Sequence, residues 1–258
     1  MIPIHPLLLP YVKSIDIVDS KQSTAPYKVY PGLSLVMGFQ FQGSIALISE
    51  DDKVIPLKLS GITGLLTNYR SFQSLSPFTK TILISLYPWA INPLFKESAY
   101  LFTNQSLGLS ELIKEQVVNL VEEKIHTTQD SKVLVNLIQE FLVQLYQSTN
   151  PKSALPQRII HIAQSLSANP SQESLQDLAR YYGYSPRSLE RYFQTHIGLS
   201  PKKYMRISRF QKVLENIEMG NSWTRIAEHF NYYDQSHFIK EFRQFTGQTP
   251  QLFSMRNS

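Results

Sequence analysis

Arg187, Glu190 and Arg191 stand at i, i+3 and i+4, a spacing that projects all three from one face of a helix. A guanidinium can take guanine O6 and N7 bidentately, and a carboxylate can accept from the N4 amine of cytosine. Further along, Gln235, Ser236, His237 and Lys240 fall at matching positions of a second helical segment. Glutamine suits adenine, and lysine suits guanine or a phosphate. His237 fits a helix start or a phosphate, and Ser236 has the least specific chemistry of the set. Any solvated helix face holds such residues, so their meaning depends on the elements beneath them.

Those elements are an internal repeat. Leu178-Ala179-Arg180-Tyr181-Tyr182-Gly183-Tyr184 matches Ile226-Ala227-Glu228-His229-Phe230-Asn231-Tyr232. Each copy opens on an aliphatic–Ala pair, where the small residue lets a second helix cross closely. Each closes on Gly or Asn, the residues that tolerate the left-handed conformation of a tight helix–helix turn. Ser185-Pro186 and Asp234 then start new helices, with Phe193 and Phe242 as inward anchors and Tyr184 and Tyr232 as packing residues. The copies end on Gly198-Leu199-Ser200-Pro201 and Gly247-Gln248-Thr249-Pro250, phrases that stop one helix and cap the next. Ser174 and Asp177 form a capping box for the first copy. The second starts at Ser222, after Gly220-Asn221.

Between the copies, residues 201–219 read as one helix, about 28 Å long at 1.5 Å per residue. Successive major grooves on one side of B-DNA lie about 34 Å apart, so a rod of this length can hold two recognition helices in neighbouring grooves. Lys202, Lys203, Arg206 and Arg209 on this helix are candidates for phosphates, contacts that position a protein without reading sequence.

Residues 155–256, and most specifically Tyr232-Tyr233-Asp234-Gln235-Ser236-His237-Phe238-Ile239-Lys240-Glu241-Phe242 with Phe245-Thr246-Gly247 and Thr249-Pro250, resemble the AraC/XylS-type transcription regulators. Asn231 replaces the usual glycine of that pattern, and Phe253 stands where tyrosine is common. The resemblance implies a sequence-specific regulator that inserts two recognition helices into successive major grooves of double-stranded DNA, modulated by its N-terminal domain. It also implies activation through contact with RNA polymerase, although nothing in the residues separates activator from repressor.

The N-terminal half changes pattern. Residues 33–41, 44–49 and 54–59 alternate in period 2, with Glu50-Asp51-Asp52-Lys53 as a hairpin turn, and 70–75 and 80–87 read as a second pair across Ser76-Pro77. The expected fold class is α+β: a small antiparallel β-barrel or sandwich with helices, followed by an all-α double helix-turn-helix on a long central helix. Interior candidates are Val36, Phe39, Phe41, Ile45, Leu47, Ile82, Ile84 and Leu86. This half resembles, less closely, the barrel-type sensing domains of the same family, which implies a small-molecule effector or dimerisation.

Residues 110–148 return to helical spacing. Leu112, Ile113, Gln116, Val117, Leu120, Val121 and Ile125 form one stripe, and Val133, Leu134, Leu137, Ile138, Phe141, Leu142 and Leu145 another. Asp130 and Ser131 are positioned to cap the second. The barrel, one another and a second subunit (giving a homodimer) are the surfaces open to them. The expected divisions are a sensing domain at 1–110, linker or dimerisation helices at 111–150 and a DNA-binding domain at 151–258, with a polar linker at 148–153.

Composition sets the bounds. The 258 residues are 42% hydrophobic and 17% charged with a net charge of +5, a globular profile. Residues 1–150 carry a net −1 and residues 151–258 a net +6, so the positive charge gathers where the repeat lies. The absence of cysteine excludes disulfides, thiolate metal sites and the acceptor thiol a methyl-transfer repair protein needs. A cupin-like metalloenzyme would need converging ligands, yet residues 1–110 hold one histidine, His5. The expectation is a non-enzyme without cofactor or metal, located in the cytoplasm, with no membrane partner. A purely architectural DNA binder is the main rival.

Overall fold

The computed structural model describes residues 3–20, 25–128, 130–149, 157–170, 174–218, 223–230, 232 and 234–257. In the N-terminal part β1 (Val12–Ser20), β2 (Tyr27–Val29), β3 (Leu35–Gln42), β4 (Ile45–Ile48), β5 (Val54–Pro56), β6 (Ser60–Thr63), β7 (Arg70–Ser74) and β8 (Thr79–Leu86) follow one another. After the short helix α1 (Ile91–Phe95) and a 3-10 turn at Ala99–Phe102, β9 (Ser106–Gly108) closes the set. Two antiparallel sheets result, one ordered β1-β8-β3-β6-β9 and the other β2-β7-β4-β5.

The turn at 50–53 joins β4 to β5 as expected. The second expected pair does not form. Strand β7 pairs with β2 and β4, while β8 pairs with β1 and β3 in the other sheet. Strand β8 is a central strand with Thr79, Thr81, Ile82, Ile84 and Leu86 buried, and it needs a long partner on each edge, which the five residues of β7 cannot supply. The Ser76-Pro77 turn therefore carries the chain from one sheet to the other.

Leu35, Met37 and Phe39 turn inward beside Ile82, Ile84 and Leu86. Val36, expected inside, lies on the opposite face of the pleat and is half-exposed, as successive side chains must alternate. A register shift between Gln40 and Gln42 then leaves Phe41 half-buried. Helices α2 (Glu115–Thr127) and α3 (Ser131–Thr149) cover this core. Phe141 meets Phe39 edge-on at 5.9 Å, and Asp130 caps α3 by accepting from the Lys132 amide at 2.7 Å. The inward side of α2 is Val118 and Ile125, whereas Val117 and Leu120 of the expected stripe are exposed. Both helices thus spend their main apolar faces on their own sheets.

The rest is helical: α4 (Gln157–Ala168), α5 (Leu175–Tyr181), α6 (Pro186–Ile197), α7 (Pro201–Glu218), α8 (Trp223–His229), α9 (Gln235–Thr246) and α10 (Pro250–Asn257). Helix α7 is the central rod, 18 residues or about 27 Å long. It buries Tyr204, Ile207, Phe210 and Val213. Phe193 meets Tyr204 at 5.3 Å and Phe242 meets Phe210 at 5.8 Å, so each helix-turn-helix unit is anchored on the same rod by its phenylalanine. Truncating either ring to alanine should cost about 3–5 kcal/mol. The expected linker beyond Thr149, the start of the second copy at 220–222 and the turn residue Asn231 lie outside the described residues.

Candidate nucleic-acid interface

The first unit is α5, a turn and α6. The Ser174 hydroxyl accepts from the Asp177 amide at 3.3 Å, and the Ser185 hydroxyl accepts from the Ser188 amide at 3.2 Å, each quenching an amide that the first helical turn leaves unpaired. Gly183 sits between the helices at φ +73°, a left-handed conformation that costs other L-residues about 1–2 kcal/mol. Pro186 occupies the first position of α6, and Gly198 ends it at φ +92°.

The second unit repeats this with α8 and α9. Asp234 accepts from the His237 amide at 2.6 Å, and Gly247 ends α9 in the left-handed conformation at φ +74°. Both candidate recognition helices therefore begin on a side-chain cap and stop on a glycine, as the residue types require.

Their faces divide cleanly. In α6, Leu189, Phe193 and Ile197 are buried, while Arg187, Glu190 and Arg191 are exposed. In α9, Phe238, Phe242 and Phe245 are buried, while Gln235, Ser236, His237 and Lys240 are exposed. Arg191 rests over the Tyr192 ring at 5.2 Å, Glu190 accepts from Gln194 at 3.4 Å, and the His237 ring stands edge-on to Tyr232 at 5.5 Å. Each helix keeps its candidate base-reading side chains together on its open side.

The expected phosphate ligands on α7 do not behave alike. Lys202 is exposed. Lys203 is half-buried with its ammonium 5.8 Å from the Phe245 ring. Burial, helped by the charge of Arg206, pulls its pKa down against a smaller opposing effect of Glu241. Arg206 and Arg209 point instead at Glu241, at 2.7 and 2.9 Å. A guanidinium held by a buried carboxylate has fewer donors left for a phosphate, so among the four expected contacts Lys202 is the most openly placed.

Glu241 is the residue that the sequence reading passed over. Its side chain is 2% exposed. Burial pushes the carboxyl pKa up, but Arg209 and Arg206 more than offset this and hold it below its ordinary value. The available signal was a carboxylate inside the apolar Phe238–Phe242–Phe245 face of a helix, following a helix with arginines three apart.

Among the described residues no group of three or more His, Asp or Glu is placed to hold a metal ion, and no helix is long and apolar enough to cross a membrane.

Residues 178–256 match the family described as "Helix-turn-helix domain". The chain is 29% identical over 125 residues to the "Probable thc operon regulatory protein" of Rhodococcus erythropolis, a stretch covering 46% of this chain and 37% of that protein. It thus spans little more than a third of this curated relative. Among solved structures, ToxT from Vibrio cholerae bound to (E)-4-(8-methylnaphthalen-1-yl)but-3-enoic acid is 12% identical, with a TM-score of 0.51 over 95% of this chain and 99% of that one. Another structure of ToxT from the same organism is 12% identical with a TM-score of 0.49, covering 94% and 97% of the two chains. At such identity the first likeness speaks for the fold, two antiparallel sheets followed by a helical region.

Proposed function

We propose, from the helix-turn-helix domain matched over residues 178–256, that the protein is a sequence-specific DNA-binding transcription regulator of the AraC type acting in the cytoplasm. One observation carries this reading. Two helix-turn-helix units are anchored on one rigid rod, and each exposes Arg, Glu, Gln or Lys while its apolar face is buried against the rod. Arg187, Glu190 and Arg191 read one groove, and Gln235, Ser236, His237 and Lys240 the next. Lys202 and Lys203 supply the phosphate contacts left after Arg206 and Arg209 are taken by Glu241. Selection from a random pool of duplex oligonucleotides tests the proposal. A consensus with two half-sites about one helical turn apart is expected. Uniform recovery of all sequences would make the protein an architectural binder instead.

A second reading concerns control by the N-terminal half. A cavity of about 250 Å³ lies between the sheets and the helical region, lined among others by Lys13, Tyr87, Trp89, Tyr204, Gln211 and Lys212. Lys13 donates to the Leu33 carbonyl at 2.6 Å and to the Ser34 hydroxyl at 2.8 Å. Its ammonium lies 5.0 Å from the Tyr87 ring centroid, and no carboxylate pairs with it among the described residues. A half-buried cation beside aromatic walls suits a small anionic effector, with Glu215 of the same lining as the opposing charge. Thermal-shift screening with carboxylic acids checks this, and stabilisation that survives Lys13→Met would place the effector elsewhere.

A further inference from the structure

The two units are repeats, so equivalent positions can be compared within one chain. Tyr184 and Tyr192 of the first unit correspond to Tyr232 and Glu241 of the second. In the first unit the pair is aromatic, with ring centroids 5.5 Å apart, and Tyr192 stacks on His196 at 6.2 Å. In the second unit a carboxylate takes the same place and gathers three donors. Arg206 Nε donates to its Oε2 at 2.7 Å, Arg209 Nη2 to its Oε1 at 2.9 Å, and the Tyr232 hydroxyl to the same Oε1 at 3.0 Å. The Arg209 guanidinium also lies 4.3 Å from the Tyr232 ring centroid. Arg206 continues to the side-chain oxygen of Gln244 at 2.9 Å, and Gln244 to Asn68 of the N-terminal half at 3.4 Å.

Apolar residues in place of Glu241 and both arginines would serve stability as well, because a buried ion-pair cluster rarely outdoes hydrophobic packing of similar volume. What the carboxylate adds is direction. Apart from the Arg206–Gln244 bond, the contacts that seat α9 on α7 are made by rings, Phe210 against Phe242 and Phe245 and the Lys203 and Arg206 cations over Phe245, and such contacts tolerate small rotations. With side chains a helix is about 5–6 Å in radius, so turning α9 by about 20° would move its outer atoms by about 2 Å. A base-edge hydrogen bond does not survive that displacement. Two charge-assisted bonds from α7 and one from the preceding turn set the angle of α9 about its own axis.

We propose that Glu241 is a positioning residue for sequence readout: it holds the second recognition helix on the central helix at the rotation from which Gln235 and Lys240 reach base edges. Among the described residues the first unit has no such device, so the role belongs to one half-site only. This inference rests on the DNA-binding reading above.

The test uses the full-length protein and the duplex that the wild type selects from a random pool. Affinity is measured for the intact duplex and for two versions, each with one half-site scrambled. Glu241→Leu and Glu241→Gln should bind the intact duplex about tenfold more weakly. Scrambling one half-site should cost them nothing further, while scrambling the other should cost what it costs the wild type. Glu241→Leu strands two partly buried guanidiniums and should unfold earlier than the wild type, whereas Glu241→Gln keeps a side-chain oxygen as acceptor for them, so lost readout in a folded Glu241→Gln separates positioning from folding. Wild-type discrimination at both half-sites in the variants, or equal loss at both, overturns the proposal. So does a wild type that selects a duplex with a single half-site, which leaves DNA binding intact, whereas a wild type that selects nothing sinks the regulator reading and the positioning role together.

Discussion

The Thr103 hydroxyl donates to the carbonyl of Gly198 at 2.6 Å, so the N-terminal half grips the first recognition helix at the glycine that caps its end. The second helix is held one residue earlier, within its last turn. Lys28 Nζ donates to the carbonyl of Thr246 at 3.0 Å, one residue before Gly247. Tyr30 adds a ring contact to Phe253 at 5.6 Å. Helix C-termini leave carbonyls unpaired, and here donors from the sheet-bearing half satisfy them. The two units are therefore tied to each other twice, through α7 and through the N-terminal half.

Glycine substitutions separate that docking from local turn strain. A Cβ at Gly198 would stand 2.8 Å from the Ala99 carbonyl, at a residue with φ +92°. At Gly183, φ is +73° but a Cβ would meet nothing within 4 Å. Gly183→Ala should thus cost about 1–2 kcal/mol, the backbone penalty alone. Gly198→Ala should cost more, through the backbone carbonyl it strikes. Denaturant unfolding of the two variants checks the order, and equal losses would show that the N-terminal half does not press on the Gly198 cap.

Arg191→Ala should weaken binding to the selected duplex by about 1–3 kcal/mol and relax one base position, with little change on random DNA. Arg191 is exposed on α6 with its guanidinium over Tyr192, and its bond from Thr195 is to the backbone carbonyl, so the fold should be unaffected. Titration against both DNAs decides it. The same loss on each would mean that Arg191 supplies charge without readout.

Lys202→Ala should lower affinity about equally on all sequences and reduce the slope of log K against log salt by about 1, the signature of one phosphate contact. Arg209→Ala should leave that slope unchanged, because Glu241 already holds its guanidinium at 2.9 Å. A salt series on the two variants distinguishes them. A reduced slope for Arg209→Ala would show that the arginine leaves Glu241 for a phosphate on binding.

The helical half was legible because its punctuation is local. Ser185-Pro186, Asp234, Gly198 and Gly247 each act within one turn of the chain, and each takes the conformation its residue type demands. The sheets were harder. Strands β2, β6 and β9 have three or four residues, too few to show a period, and β1 carries Lys13, Asp16 and Asp19 among its apolar residues, which hides a strand whose Val12 and Ile15 face the core. The Ser76-Pro77 turn announces a change of direction but not which sheet receives the next strand, so β7 and β8 were paired wrongly. At the site, exposed readers follow from helical phase. The engagement of Arg206 and Arg209 by Glu241 does not, because the partners are 35 and 32 residues apart in sequence and meet only when α9 packs on α7.

Lys13 should give the protein a measurable dependence on pH. Burial pushes its pKa from 10.5 down to about 8, so between those values the unfolded chain binds more protons than the folded one. Stability contributed at this site therefore rises as pH increases from about 8 toward 10.5 and is at its lowest below 8, where the half-buried ammonium is charged in both states. Denaturant unfolding of wild type and Lys13→Met across this window should show the stability gap between them shift in favour of the wild type as pH rises. An anionic effector in the neighbouring cavity would stabilise the charged lysine, so its affinity should fall as pH climbs above 8 and lose that dependence in Lys13→Met. A gap that stays flat with pH would mean that Lys13 reaches water in the folded protein, and would remove the electrostatic case for an anion there.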